Sequence, residues 1–500
     1  MAHIRICLLI VAVGLIANGA SAGTYTITRI GSFGGTDTRA TDINNHGQVV
    51  GYSNLPGDLF GKAFVWDGGT MTPLDGLAQH ASTSAYGIND NGEVVGHGID
   101  GTTYETTALL WSGGRVTDLG ADLRASRSTA WDINDRGMVV GQAAVGTTFC
   151  KGFIWDGPGR GQIVGTLAGR VGGANLAVNN AGLAVGHSFF YLTPDQAHLV
   201  TPGPDGYRSE LISAPYPAVG FADDINGRNV IVGRANRGAG PHLAVLFTPG
   251  GEEPFIDLGV LPGARDSGAS GVNEAGVIVG SSGDNPDWPT GHAFVYADGR
   301  MQDLNDLFVD PRHEWDVLIE AQAINDGGDI VGYGWTSDGN ISAFLLRELE
   351  QATIAMDIKP GSDPNTVNPF SDGLLPVGIL GSDLLDVNDI DPASLMLEGV
   401  FAEVKGGSGN IGSFEDVNED GLMDLLVHFS VADLPFGPDT TEAELTGLLL
   451  DGMAIVGTDA IRIAGGRHFG ADGEAAQALP EPATLALLAV GALLAGRRRR

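Results

Sequence analysis

Along residues 25–346 the apolar positions alternate in short runs instead of recurring at helical spacing, and the runs keep a fixed order. An apolar residue precedes Asn, a polar turn follows, and a return run ends in Gly. Seven copies occur: Ile43-Asn44 to Gly51, Ile88-Asn89 to Gly96, Ile133-Asn134 to Gly141, Val178-Asn179 to Gly186, Ile225-Asn226 to Gly233, Val272-Asn273 to Gly280, and Ile324-Asn325 to Gly332. Asn-to-Asn spacings of 45, 45, 45, 47, 47 and 52 mark a structural repeat. In the second copy, residues 85–88 read as a strand, Asn89-Asp90-Asn91-Gly92 as a hairpin turn, and residues 93–96 as the return strand. Residues 108–111 and 116–120 supply a third and a fourth strand. The third strand carries an aromatic signature elsewhere, as in Ala63-Phe64-Val65-Trp66 and Gly152-Phe153-Ile154-Trp155. The copy over 176–213 is the most degenerate, with His198-Leu199-Val200 in that place. Positive-φ turn duty accounts for the seven Asn residues, and blade-packing core for Trp66, Trp111, Trp155, Phe247 and Tyr296.

Sheets repeated at this period either stack linearly as a solenoid or close into a ring. Residues 25–34 look like a fourth strand and its exit turn, yet they precede the first Asn copy. The last copy stops at residue 346 without a good fourth strand. Lending the first segment to the last unit would remove an exposed sheet edge. The expected fold is all-β: a seven-bladed β-propeller over residues 23–346 with the N-terminal strand closing the last blade, an open solenoid being the alternative. A polar linker at 347–351 leads to a smaller β-sandwich-like domain over 352–466, with strand signals at 353–358, 374–380, 425–429 and 460–463. Residues 467–479 form a polar approach to the C-terminus.

Both ends read as targeting segments. Arg5, the apolar residues 6–16 and Ala20-Ser21-Ala22 have the grammar of a secretory signal over 1–22, cleaved after Ala22. Residues 480–500 comprise Pro480-Glu481-Pro482, an apolar stretch over 483–496, and four arginines. Fourteen helical residues reach about 21 Å, short of the ~30 Å hydrocarbon core. The arginines would hold the extreme end at the cytoplasmic face. A sorting tail fits better than its alternative, a permanent anchor. This tail resembles the PEP-CTERM sorting signal of Gram-negative bacteria. The resemblance implies processing by a membrane exosortase, membrane contact only through the tail, delivery to the outer surface or extracellular matrix, and a setting rich in exopolysaccharide. The repeats resemble the HAF family, whose tripeptide is intact at His292-Ala293-Phe294. That resemblance covers residues 25–346 and implies an extracellular location and a repeat architecture, without an activity. Lys62, Thr107 and Leu243 replace His292 in other copies, which argues against a repeated histidine site. The opening Asp357-Ile358-Lys359-Pro360-Gly361 is similar to an accessory domain of secreted bacterial surface proteins.

Charge narrows the partners. Without Arg5, the four terminal arginines and Glu481, residues 23–479 hold 22 basic and 60 acidic side chains. Nucleic acid, which needs a basic footprint, is excluded as a partner class. Cys150 is the only cysteine left once the signal is removed, so no intramolecular disulfide forms, and it reads as a small buried hydrophobe.

One motif carries explicit chemistry: Asp416-Val417-Asn418-Glu419-Asp420-Gly421-Leu422-Met423-Asp424. Oxygens of Asp416, Asn418 and Asp420 at alternate positions, the Leu422 carbonyl and Asp424 would converge on a structural Ca²⁺ if the loop curls at Gly421. Position 12 is Val427 where an EF-hand has Glu, so the loop is a shortened kind, and strands suit its flanks better than helices. A solvated acidic turn is the alternative. Gly407-Ser408-Gly409-Asn410-Ile411-Gly412 matches a dinucleotide fingerprint without the strand-to-helix context it requires. No catalytic residue and no organic cofactor site emerge. The expected function is that of an exported, non-catalytic surface or matrix protein binding glycan or matrix components. The alternative is a propeller enzyme (polysaccharide lyase, lactonase or glycosidase) working with channel carboxylates, because such pairs are defined by space and leave no spacing signature.

Overall fold

The computed structural model describes residues 25–464, apart from 58–59, 147–148, 191–194, 205, 214–218, 239, 285–290, 310–312, 350, 383–384, 406–409, 439 and 451–452. The expected signal with Ala22, and the tail with Pro480, Glu481 and Pro482, lie outside the described residues, as do 407–409 of the glycine-rich match. The chain divides into two compact units at Glu348 and Leu349. The described residues are almost wholly β, built of many small, mostly antiparallel sheets, with one five-residue helix at Leu119–Leu123.

Each Asn copy in the first unit forms one sheet. Six are four-stranded antiparallel meanders, the first running through Thr38–Ile43, Val49–Asn54, Gly61–Asp67 and Thr70–Leu74. The seventh contains Trp315–Ile324, Ile330–Thr336 and Ile341–Glu348 and takes Tyr25–Arg29 as its next strand. The pairing is antiparallel, with Ile27 opposite Leu346 and Tyr25 opposite Glu348. This partner carries the last strand to Glu348, so the expected linker at 347–351 shrinks from its N-terminal side. Tyr25–Arg29 also pairs in parallel with Phe308–Val309, a short strand in the long connection that stretches the last spacing to 52.

The invariant glycine of each copy is required by close approach. A Cβ on Gly51 would stand 2.0 Å from the Arg39 carbonyl oxygen, and one on Gly141 would stand 2.1 Å from that of Thr129. Opposite these glycines, the third strands place Phe64, Leu109, Phe153, Val245, Phe294 and Phe344, all buried in the cores. The degenerate fourth copy places His198 in the same slot. Its ring nitrogens meet Ser188 Oγ at 2.9 Å and Asn175 Oδ1 at 3.0 Å, and burial pushes it down to about 3, so a polar ring does the work of a phenyl.

The seven Asn residues correct the positive-φ expectation. The left-handed residue is the third one after each, as at Gly47, Gly92, Gly137, Gly182, Asn229, Gly276 and Gly328. The Asn side chain instead links units. Asn134 Oδ1 accepts from Arg136 and Met138 N–H within its own turn, while its Nδ2 donates to the Asn179 carbonyl of the next copy at 2.9 Å. The same inter-copy bond recurs from Asn44, Asn89, Asn179, Asn226 and Asn273, and Asn325 Nδ2 returns to the Asn44 carbonyl at 3.2 Å. A second tier runs through the following residues: Asn45 N–H donates to Asp90, Asp90 to Asp135, Asp135 to Asn180, Glu274 to Asp326, and Asp326 to Asn45.

A third tier uses three aspartates. Asp42 accepts from its neighbour Ile43 and from Ile88 of the next copy. Asp132 does so with Ile133 and Val178, and Asp224 with Ile225 and Val272. The equivalent residues in the other copies are Gly87, Ala177, Gly271 and Ala323. Gly87 is small for a reason: a Cβ there would stand 2.9 Å from the Cα of Asp132.

The second unit contains a five-stranded sheet that includes Ile390–Leu397, Glu442–Leu449 and Ala454–Ala460. It also has a four-stranded sheet of Met356–Ile358, Leu374–Ile379, Asp424–Ser430 and Ser413–Glu415. Ile358, Val377, Val427 and Phe429 from one sheet and Leu395, Leu397, Leu445 and Ile455 from the other share a single apolar core. Trp66, Trp111, Trp155 and Phe247 are buried as expected, whereas Tyr296 is only half-buried. Cys150 is also half-buried: it lies in the connection just before Lys151–Trp155, outside the packed strand faces.

Candidate functional site

The first strand of every sheet in the first unit carries a β-bulge at the same place. Its register slips between Ala40 and Asp42, Ala85 and Gly87, Ala130 and Asp132, Asn175 and Ala177, Ala222 and Asp224, Ala269 and Gly271, and Ala321 and Ala323. A bulge re-aims the residue it leaves unpaired. The residues skipped are Thr41, Tyr86, Trp131, Leu176, Asp223, Ser270 and Gln322. All seven line one cavity of about 400 Å³. The size lies toward the small end of the ~300–1,000 Å³ usual for ligand sites.

Further side chains from these sheets complete the wall: Arg39 and Glu320 lie two residues before their bulges, and Tyr52, Arg234, Ser281 and Tyr333 each follow an invariant Gly. Tyr86 and Trp131 form an aromatic pair with ring centroids 4.6 Å apart. Arg39 stacks over Tyr333 at 4.4 Å and is held by both oxygens of Asp37 at 3.0 Å. Arg234 stacks over Phe221 at 4.7 Å. Tyr333 donates to Glu320 at 2.6 Å, and Ser270 donates to the other Glu320 oxygen at 3.4 Å. Burial raises Glu320 above the usual carboxylate range and pushes Asp223 up to about 6, with Arg234 pulling against it. Burial likewise pushes Tyr86 up to about 12, and burial followed by the Glu320 charge raises Tyr333, so both phenols stay protonated donors. The cavity therefore offers hydrogen-bond donors, acceptors and aromatic surface together.

None of these residues stands out in the sequence, although a signal was present. Counted from each repeated Asn, the positions three and five residues earlier change chemistry from copy to copy, while the Asn itself and the Gly stay fixed.

A second, smaller cavity is lined by the seven Asn residues and the residues after them. The histidine of His292-Ala293-Phe294 is exposed and contacts Asp303 on the neighbouring strand at 2.6 Å; Lys62 makes the analogous contact with Asp75.

In the second unit the expected Ca²⁺ loop connects Ser413–Glu415 to Asp424–Ser430, so strands flank it. Asp416, Asn418, Asp420 and Leu422 are exposed. Asp416 accepts from the N–H groups of Asp420 and Gly421, and Asp420 accepts from Leu422 N–H and Asn418 Nδ2. Gly421 has φ of 89°, the bend expected of it, and Glu419 adopts φ of 61°. Asp424 differs from its expected role as ninth-position ligand. It is fully buried, and its two oxygens accept from Gly381 N–H at 2.8 Å and Val417 N–H at 2.9 Å, pinning the loop to the sheet. Asp416, Asn418 and Asp420 present oxygens of the hard type that calcium takes, here engaged in hydrogen bonds within the turn. Among the described residues, no group of three or more His, Cys, Asp or Glu side chains is arranged to hold a metal, and no helix is long and apolar enough to cross a membrane.

No protein-family model and no curated protein matches the chain. Among solved structures, one concerned with host cell surface retention of a 1.5-MDa bacterial ice-binding adhesin is 14% identical to this chain. The match covers 57% of this chain and 93% of that one with a TM-score of 0.13, a likeness too weak to carry any argument.

Proposed function

We propose that the first unit is a seven-bladed β-propeller belonging to an exported surface or matrix protein, and that the cavity where the seven bulges meet binds a glycan. The carrying observation is the convergence of one re-aimed side chain from each of seven sheets on a single polar and aromatic cavity. Closure of the blades is supported by the borrowed strand Tyr25–Arg29 and by the return bonds from Asn325 and Asp326 to the first copy. An open solenoid would leave those groups unpaired. The likeness to HAF repeats supports the extracellular setting. The tail likeness adds exosortase processing at Pro480-Glu481-Pro482, after the signal is removed behind Ala22. The second unit is read as a β-sandwich whose loop binds one structural Ca²⁺ through Asp416, Asn418, Asp420 and the Leu422 carbonyl, with Asp424 fixing the loop from beneath.

A glycan-array screen of the exported chain, with and without Ca²⁺, tests the reading. Retention on a defined set of oligosaccharides is expected, and uniform absence of binding would overturn it. A second reading, a polysaccharide-cleaving enzyme, draws on Glu320 and Asp223, two carboxylates raised by burial in one cavity. It requires release of shortened products from a bound glycan and loss of that release in Glu320→Gln.

A further inference from the structure

We infer that the cavity recognises an uncharged sugar residue, one or two rings of a neutral glycan, and discriminates against uronates and other anionic sugars. The inference rests on the glycan reading above and deepens it.

Charge balance comes first. Among the lining residues two guanidinium groups, Arg39 and Arg234, face two carboxyl groups, Asp223 and Glu320. Arg39 is already engaged by both oxygens of Asp37. Arg234 lies in the electrostatic field of Asp223 and of Asp195. An incoming carboxylate would therefore meet no surplus positive charge, and it would approach a chain of net charge −34. Binding an anion means desolvating it, and the opposite charge that would offset that cost most directly is already committed here.

A neutral polyol faces no such barrier. Sugar hydroxyls both donate and accept, so they match a wall of mixed guanidinium, carboxyl, phenol and Ser hydroxyl groups. Trp131 adds a specific demand. Its Nε1 is buried without a hydrogen-bond partner in the protein, and the residue lines the cavity. A buried indole N–H calls for an acceptor, and a hydroxyl or ring oxygen of a bound sugar supplies one. Tyr86 and Trp131 supply an apolar surface for the carbon face of a pyranose. The volume of about 400 Å³ limits the bound portion to a short segment.

Isothermal titration calorimetry on the exported chain separates the possibilities. The probes are neutral di- and trisaccharides (gluco-, manno- and galacto-linked) and uronate oligomers of equal length. At least one neutral series is expected to bind about tenfold or more tighter than any uronate, and Trp131→Phe, which keeps an aromatic ring but removes Nε1–H, should weaken it about tenfold. Glu320→Gln should weaken it similarly while leaving the melting curve close to that of the parent. Uronates binding equally or more tightly would overturn this inference and leave the glycan reading standing. Neutral sugars bound equally by parent and both variants would place recognition elsewhere and also overturn it. Failure of every oligosaccharide to bind would remove the glycan reading itself.

Discussion

Asn134 makes three hydrogen bonds that no other side chain of its size and shape reproduces: two accepted within its own turn and one donated to the next copy. Asn134→Ala is expected to destabilise the first unit by roughly 2–4 kcal/mol, since three bonds of about 1 kcal/mol each are lost and the Asn179 carbonyl keeps only its bond from Gly182 N–H. Thermal or chemical denaturation measures it, and a change below about 0.5 kcal/mol would remove the Asn tier from the account of stability. Asp224 gives a prediction with a sign. Burial, reinforced by the charges of Asp132 and Asp223, pushes it up to about 7 from an ordinary 3.8, against two backbone N–H bonds that pull it down. The folded state therefore holds a proton that the unfolded chain gives up between about pH 4 and 7, so the penalty of ionising this group is absent below that window and complete above it. Asp224→Asn does not titrate. The melting temperature of the variant relative to the parent should accordingly rise from pH 5 to pH 8, and a pH-independent difference would contradict the assignment.

At the scale of the element, the repeating sheet was legible from the sequence and its bulge was not. Alternation, the Asn-Asp-Asn-Gly turn and the aromatic third strand located the strands, because side-chain period and turn chemistry are local properties. The bulge at Thr41, Tyr86 or Trp131 is created by pairing with the next strand, which local pattern does not report, and the cavity went unseen with it. The same limit explains the Asn residues: their Oδ1 serves the turn their composition suits, but the bond each Nδ2 donates runs to a residue 45 or more positions away. In the Asp416–Asp424 loop the ligand-type spacing was visible, whereas the burial of Asp424 beneath it depends on Gly381, 43 residues distant. Chelation tests the proposed cation there. Adding EDTA should lower the melting transition of the second unit by several degrees in the parent and leave Asp416→Ala unchanged; identical melts with and without Ca²⁺ would assign the loop to plain Asx turns.

For the whole molecule, the decisive contacts join residues at opposite ends of the first unit. Ile27 opposite Leu346 and the Tyr25 N–H bond to the Leu307 carbonyl seal an edge that would otherwise be open. It was legible only as an accounting mismatch: a spare strand at the start and a missing one at the end. Deleting residues 25–30 exposes the backbone of Ile341–Glu348, an edge with Phe344, Leu345 and Leu346 in its middle. Such edges recruit other chains. The deletion is expected to lower the melting temperature and produce oligomers by light scattering, while a monomer of unchanged stability would show that the borrowed strand is dispensable.

The three aspartate links carry a consequence of parity. They fasten the first copy to the second, the third to the fourth, and the fifth to the sixth. Seven is odd, so one member is left single, and it is the sheet stitched from both ends of the first unit, where Ala323 occupies the aspartate position. Three couples and a bachelor do not come apart evenly. Under heat or load the seams flanking Trp315–Ile324 are expected to part first, and amide exchange fastest along those seams would register it.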